Sequence, residues 1–160
     1  MHVAEQVGAD DVVDAVIAAS LALVAVAARS LSAVADEVTL AQFRALLVLA
    51  SRGPARVVDL AEDLEVNSST ATRMCDRLLA KGLISREREH DNPDRRTVRV
   101  SITLHGRALI AAVMRKRRAE VRTIMRRLPP EARATVVAGL REFAEAAGEA
   151  PHQTWSLGWS

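Results

Sequence analysis

Residues 67–84 read NSSTATRMCDRLLAKGLI, and their pattern decides how the rest of the chain is arranged. Asn67 can accept a hydrogen bond from a backbone N–H two or three residues on, which makes it a good helix N-cap, and Gly82 supplies a left-handed stop. A helix from Ser68 to about Lys81 follows. At 3.6 residues per turn, Ala71, Met74, Cys75 and Leu78 share one face, while Ser68, Ser69, Thr72, Arg73, Asp76 and Arg77 share the other. The first face belongs to a core. The second combines small hydroxyls, which let a backbone approach a duplex, with two arginines one turn apart that can fork onto guanine edges or phosphates. A DNA-reading helix has this chemistry, and an ordinary amphipathic helix with solvated arginines has the same periodicity.

The flanking segments separate those readings. Upstream, residues 57–64 form a short helix with Val57, Leu60, Ala61 and Leu64 inward, joined through Glu65 and Val66 to Asn67 by a turn of helix-turn-helix length. Downstream, residues 84–89 and 97–103 flank HDNPDRR at 90–96, and Val98, Val100 and Ile102 alternate with polar residues as in a half-buried strand. Helix, turn, helix and hairpin make a winged helix.

In order and spacing, DLAEDLEV, SSTATRMCDRLLAKGLISR, DRRTVRVSIT and LHGRAL resemble the MarR (multiple antibiotic resistance regulator) family of bacterial transcription factors, over roughly residues 10–148. Two positions depart from the family pattern. Glu65 stands in the turn where many members carry Gly, and Arg56 stands where a Ser or Thr cap is expected, although Asp59 in the first turn still suits the helix dipole. The arm from 86 to 94 also looks slightly long for the family.

The net charge of +2 hides an uneven distribution. Residues 1–40 carry 1 basic and 6 acidic side chains, 67–100 carry 8 and 5, and 101–130 carry 8 and 1. Positive charge is thus concentrated in and just after the winged helix, where an anionic duplex would lie. The single cysteine excludes an intrachain disulfide and fits a reducing cytoplasm. The apolar run 12–28 approaches the length of a membrane span, but it contains Asp14 and Ser20 and is preceded by Asp10 and Asp11 where a signal peptide would be positive, so no membrane partner is expected. There is no Gly-rich phosphate loop and no Cys-x-x-Cys pair, and the residues show no enzyme site.

In chain order, a long helix is expected over about 10–36, with Val13, Ile17, Leu21, Val24, Ala28, Leu31 and Val34 recurring at three- and four-residue steps. Much of its remaining surface is also Ala and Val, more than a small winged-helix domain can cover, so a second protomer is expected against it. Thr39-Leu40-Ala41-Gln42 has the form of a capping box and opens a helix to about Ser51, with Leu40, Phe43, Leu46, Leu47 and Ala50 inward. Thr103 caps a further helix to about Arg127, its stripe being Leu104, Ala108, Ile110 or Ala111, Met114, Val121, Ile124 and Leu128. Arg115, Lys116, Arg117 and Arg118 interrupt it, either as DNA phosphate contacts or as a solvated patch supporting dimer salt bridges. Pro129-Pro130-Glu131 starts a last helix to about Ala147, with Val136, Val137, Leu140, Phe143 and Ala147 on its buried side. The tail, 149–160, holds both tryptophans and either docks on the dimer interface or is disordered.

The expected fold class is all-α with a small β-wing. It is one domain over 1–160: a winged helix-turn-helix region at 40–103 between N- and C-terminal dimerisation helices at 10–36 and 104–148. The resemblance implies a homodimer with recognition helices in successive major grooves of a palindromic site on double-stranded DNA, roughly 34 Å apart. It implies DNA contact by Ser68, Ser69, Thr70, Thr72, Arg73 and Arg77, and by the wing residues Asp94, Arg95 and Arg96, of which the Asp braces the loop and a tip Arg enters the minor groove. Thr70 has a competing role in satisfying the helix N-terminus, and Arg77 could instead pair with Asp76 or Glu87. The family is more often repressing, and its members commonly bind small anionic or phenolic effectors in a cleft between the dimer layer and the winged helix, here near Leu31, Phe43 and Ala111. Cys75 reads as a packed thiol, and the grouping of His90, Asp91 and Asp94 on one hairpin is a poor metal site, so neither metal nor cofactor is expected. The competing functional reading is an interaction module that binds a protein partner and only weak, non-specific DNA.

Overall fold

A computed structural model describes residues 8–88 and 98–148. Helix α1 spans Ala9–Leu31 and tightens into a 3-10 turn at Ser32–Val34; α2 spans Leu40–Arg52; strand β1 is Ala55–Arg56; α3 is Val57–Asp63 and α4 is Ser68–Ala80. Strands β2, Ile84–Arg88, and β3, Val98–Ile102, lead into α5, Leu104–Met125, and α6, Pro130–Ala146. The long first helix therefore stops short of the expected Asp36, because its last turn tightens and the chain turns toward α2.

The helix ends follow from their capping chemistry. At α2 the Thr39 hydroxyl accepts from Gln42 N–H while the Gln42 amide oxygen accepts from Thr39 N–H, which completes the capping box. Asn67 accepts from Thr70 N–H at 2.8 Å to open α4, and Thr103 accepts from Gly106 N–H at 3.0 Å to open α5. Gly82, with φ of 67°, lets the chain reverse out of α4 into β2.

The core lies where α2, α3, α4 and the first half of α5 meet the sheet. Phe43, Leu46, Leu49, Leu60, Leu78, Leu83, Val100, Ile110 and Val113 are all buried there. Replacing Phe43 by Ala would cost about 3–5 kcal/mol from transfer and cavity terms together.

The wing differs from the expected pair of strands. Among the described residues the sheet has three, in the order β1-β3-β2, with Ala55 opposite Val100 on one side of β3 and Arg86 opposite Val100 on the other. A two-residue strand has no alternation to detect, and it exists because the backbone between Pro54 and α3 lies along β3. Two helix faces also differ. Leu40 and Leu104, expected inward, are 57% and 86% exposed. Each is the first residue of its helix, and helical side chains lean back toward the N-terminus, where no preceding turn offers a surface.

The buried stripe of α5 is Gly106, Leu109, Ile110 and Val113, while Ala108 is exposed. Gly106 sets this rotation. A Cβ there would stand 2.2 Å from the Leu83 carbonyl oxygen, so only a glycine lets the first turn of α5 press against the chain entering β2.

α6 carries the expected apolar stripe, but none of its residues is buried, and Val137, Leu140 and Phe143 are 43%, 49% and 53% exposed. Its angle to α5 is held by Arg133, whose Nε donates to the carbonyls of Met125 and Leu128 at 3.0 and 2.9 Å.

Candidate nucleic-acid interface

Helix α4 divides as its sequence requires. Ala71, Met74, Cys75 and Leu78 are buried, and Ser68, Ser69, Thr72, Arg73 and Arg77 are exposed. Thr70 is half-buried, and its backbone N–H is the group capped by Asn67. The Ser69 hydroxyl also donates to Asn67 Oδ1 at 2.7 Å, and the Thr72 hydroxyl donates to the Ser68 carbonyl at 2.8 Å. The Ser69 hydroxyl in turn accepts from Arg73 Nη2 at 3.4 Å. Arg73 folds back loosely, its Nε donating to the Ser69 carbonyl at 3.3 Å, a contact weak enough to exchange for a stronger acceptor. Two exposed arginines one turn apart, flanked by hydroxyls on a capped helix, can engage phosphates and base edges.

The pairing expected for Arg77 goes elsewhere. Asp76 accepts from Arg86 Nη2 at 2.6 Å, and Glu87 accepts from the Ser101 hydroxyl at 2.7 Å. Arg77 is left on the surface, and no ion pair to it occurs among the described residues. The wing residues Asp94, Arg95 and Arg96, together with His90 and Asp91, lie outside the described residues, as does the tryptophan-bearing tail.

The turn before α4 holds Glu65 at φ of 55°, a left-handed conformation that explains why glycine would suit this position. Arg56 does not cap α3 but grips Asp59 with two bonds, Nε to Oδ2 at 2.8 Å and Nη2 to Oδ1 at 2.5 Å. The same contact, a hydrogen bond first and a charge second, lowers the Asp59 pKa and raises that of Arg56. A carboxylate is thereby fixed at the start of α3, where the dipole favours it.

On the buried face of α4, Cys75 is free, and burial pushes its thiol pKa up, with a smaller push from Asp76. This packed thiol matches the sequence reading. The basic run of α5 is not a uniformly solvated patch. Arg117 lies over the Phe43 ring at 5.9 Å and donates to the buried Ser30 hydroxyl at 3.3 Å, and burial lowers its pKa. Lys116 reaches Ser32 at 3.2 Å. Sequence reasoning missed this junction of α1, α2 and α5, and missed Arg86 as a partner of α4. The signal available was Gly106 in mid-pattern, which fixes the face of α5 and so turns Leu109, Ile110 and Val113 inward.

The profile of the MarR family matches residues 38–98, which run from the turn before α2 to the first residue of β3. Over nearly the whole chain the structure superposes on RV1404 from Mycobacterium tuberculosis, with a TM-score of 0.83, 36% identity, and coverage of 93% of this chain and 100% of that one. The chain belongs to the MarR family. Its fold is the winged helix of that family, and family and relatives alike are transcriptional regulators that bind DNA, not enzymes.

A further relative, the HTH-type transcriptional repressor MdtR of Bacillus subtilis, is 39% identical over 82 residues, which span 51% of this chain and 52% of that protein. The fold is shared more distantly with a point mutant of MepR from Staphylococcus aureus, solved bound to an oligodeoxyribonucleotide, at a TM-score of 0.63 and 20% identity, covering 80% of this chain and 91% of that one.

Proposed function

We propose that this MarR-family regulator is a cytoplasmic homodimeric repressor that reads a palindromic operator with the α4 helices of its two copies and is released by a small molecule. The observation that carries the reading is the division of α4, whose buried face anchors it in the core while Ser68, Ser69, Thr72, Arg73 and Arg77 face outward. Thr70 contributes at the edge of that face, and Asp94, Arg95 and Arg96 are assigned to the wing's contact with the minor groove. The repressor name of MdtR and the oligonucleotide bound to MepR agree with it.

The dimer is argued from α1. By length and composition Ala9–Val34 could cross a membrane. Val13, Ile17, Leu21 and Val24 nevertheless form an exposed stripe, Val12 and Leu23 are exposed on another side, and the buried residues Val26, Ser30 and Leu31 lie in the C-terminal part of the helix, which packs on α5. A helix packed at its C-terminal end and exposing apolar side chains over the rest of its length suits a second copy of the chain. The effector is assigned to the cleft near Leu31, Phe43 and Ala111, beside the Arg117–Phe43 contact. A ligand there would favour one spacing of the reading heads over another.

Selecting binding sites from a random duplex pool with purified protein tests this. The expected result is a two-fold symmetric sequence with half-sites about one helical turn apart. Binding without base preference would favour an interaction module and overturn the repressor reading.

A further inference from the structure

Arg56 ends β1 directly opposite Arg99 on β3, while the neighbouring pair, Ala55 and Val100, packs into the core. Side chains alternate across a sheet, so the two guanidinium groups leave its outer face side by side, from backbones roughly 5 Å apart. Both residues are exposed, and Arg99 donates to the Pro54 carbonyl at 3.4 Å. Two carboxylates border this row. Glu87, opposite Arg99 on β2, accepts from the Ser101 hydroxyl, and Asp59 is held by Arg56.

The way Asp59 is held decides what Arg56 can still do. A guanidinium is a rigid plane with five N–H donors and two forked edges. Asp59 takes the edge made by Nε and Nη2, using one donor from each. The other edge, Nη1 with the second hydrogen of Nη2, has no bond among the described residues, and planarity turns it away from Asp59. A carboxylate behind and an open fork in front pre-organise an arginine for an oxyanion. Arg56 also stands where a Ser or Thr would cap α3, and it makes no cap bond. Helix stability therefore does not account for an arginine at this position.

We infer that Arg56, braced by Asp59 and flanked by Arg99, grips a DNA phosphate with its open edge. In a helix-turn-helix the second helix enters the major groove while the first crosses the sugar-phosphate backbone, and α3 is that first helix. The Arg56–Arg99 row joins the start of α3 to the strand returning from the wing, so a backbone crossed by α3 meets it there. Such a contact carries no base information; it fixes the register and angle at which α4 is presented. The inference rests on the reading of α4 as the duplex-facing helix and adds the side chains that hold it in place.

The test is titration of the full chain, at several salt concentrations, against a duplex recovered by selection from a random pool and a scrambled duplex of the same length. Arg56→Ser supplies a cap and removes the grip. It should weaken binding to both duplexes severalfold and lower the slope of log affinity against log salt by about one. Its melting temperature should hold or rise, which separates the loss from misfolding. Arg141→Ser, on α6, removes the same charge and should change neither quantity. Arg56→Lys keeps the charge but not the two edges, and should not restore wild-type affinity. Asp59→Asn is the decisive variant: folded by circular dichroism and more positive than the wild type, it should still bind more weakly, because the guanidinium has lost its brace. Unchanged affinity and slope in Arg56→Ser, full affinity in Arg56→Lys, or tighter binding in Asp59→Asn would each overturn the grip. If the wild type prefers neither duplex and Arg56→Ser still weakens both, the grip stands and the repressor reading falls. If the preference is intact and Arg56→Ser is neutral, the repressor reading stands and the grip falls.

Discussion

Arg86 on β2 donates to Asp76 on α4 at 2.6 Å, so the strand leading to the wing is latched to the helix proposed to read the operator. Both side chains are about half exposed, and an ion pair in that setting contributes at most about 1 kcal/mol to folding. Its value lies in orientation. Arg86→Ala is expected to move the melting temperature little and to weaken operator binding severalfold, with the loss spread over all operator variants. Unchanged affinity in a titration at fixed salt would show that the wing keeps its angle without the latch.

Arg73 should discriminate bases. A bidentate contact to guanine gives about 1–3 kcal/mol of discrimination, so Arg73→Ala is expected to weaken binding and relax the preference at one symmetric pair of operator positions. Arg141, exposed on α6, is the control and should do neither. The measurement is affinity across single-base operator variants; an Arg73→Ala protein with intact preference would mean that another helix reads the site.

Glu65 holds a left-handed conformation that disfavours a side chain. Glu65→Gly is expected to change stability by up to about 1 kcal/mol in the favourable direction, the relieved strain exceeding the added freedom of the unfolded chain, whereas Glu65→Val should destabilise. Urea midpoints of the two variants check the sign, and a destabilised glycine variant would locate the constraint elsewhere.

Gly106→Ala should be costly. The added methyl meets a backbone oxygen, which cannot swing aside as a side-chain tip would, and the penalty should reach about 1–3 kcal/mol or more. Chemical unfolding measures it directly; a neutral effect would mean that α5 can slide off Leu83 at no cost.

Cys75 supplies a pH test. Burial raises the folded thiol's pKa, so the unfolded chain, titrating near the usual value of about 8.5, ionises first. Stability contributed by the protonated thiol is complete below that value and is lost as pH rises toward the folded pKa. Cys75→Ser should flatten this alkaline part of the curve, keep operator binding under reducing conditions, and leave the protein without a peroxide response, as the wild type should also be. Release of DNA from the wild type alone by mild peroxide would contradict the packed-thiol reading.

The sequence was most legible where a local interaction decides the outcome. Asn67, Thr39 and Thr103 announce their helices because a cap needs only its own turn, and α4 shows its faces because it is half in a core and half out. It was least legible where the deciding contact is distant or missing from one copy of the chain. The strand Ala55–Arg56 exists only through β3, the rotation of α5 is set by Leu83 through Gly106, and the stripe of α6 finds no surface within the described residues. Arg117 could not be told from its basic neighbours, since its contacts with Ser30 and Phe43 come from helices far away in the chain. The α4 site residues share one element and could be placed together, whereas the wing residues Asp94, Arg95 and Arg96 fall in the interval between β2 and β3.

Lys81, just past the end of α4, donates to the carbonyls of Asp36 and Glu37 where the chain leaves the 3-10 turn after α1. The C-terminal end of α4 is thus moored to the segment that connects α1 to α2. That segment also packs against α4 through Val34 and Val38 in the core, so Lys81 adds a polar tie at the surface to a contact already made inside. Lys81→Met keeps the stem and cuts the mooring, and it should leave a protein that still grips its operator but answers more weakly to any force arriving from the far side.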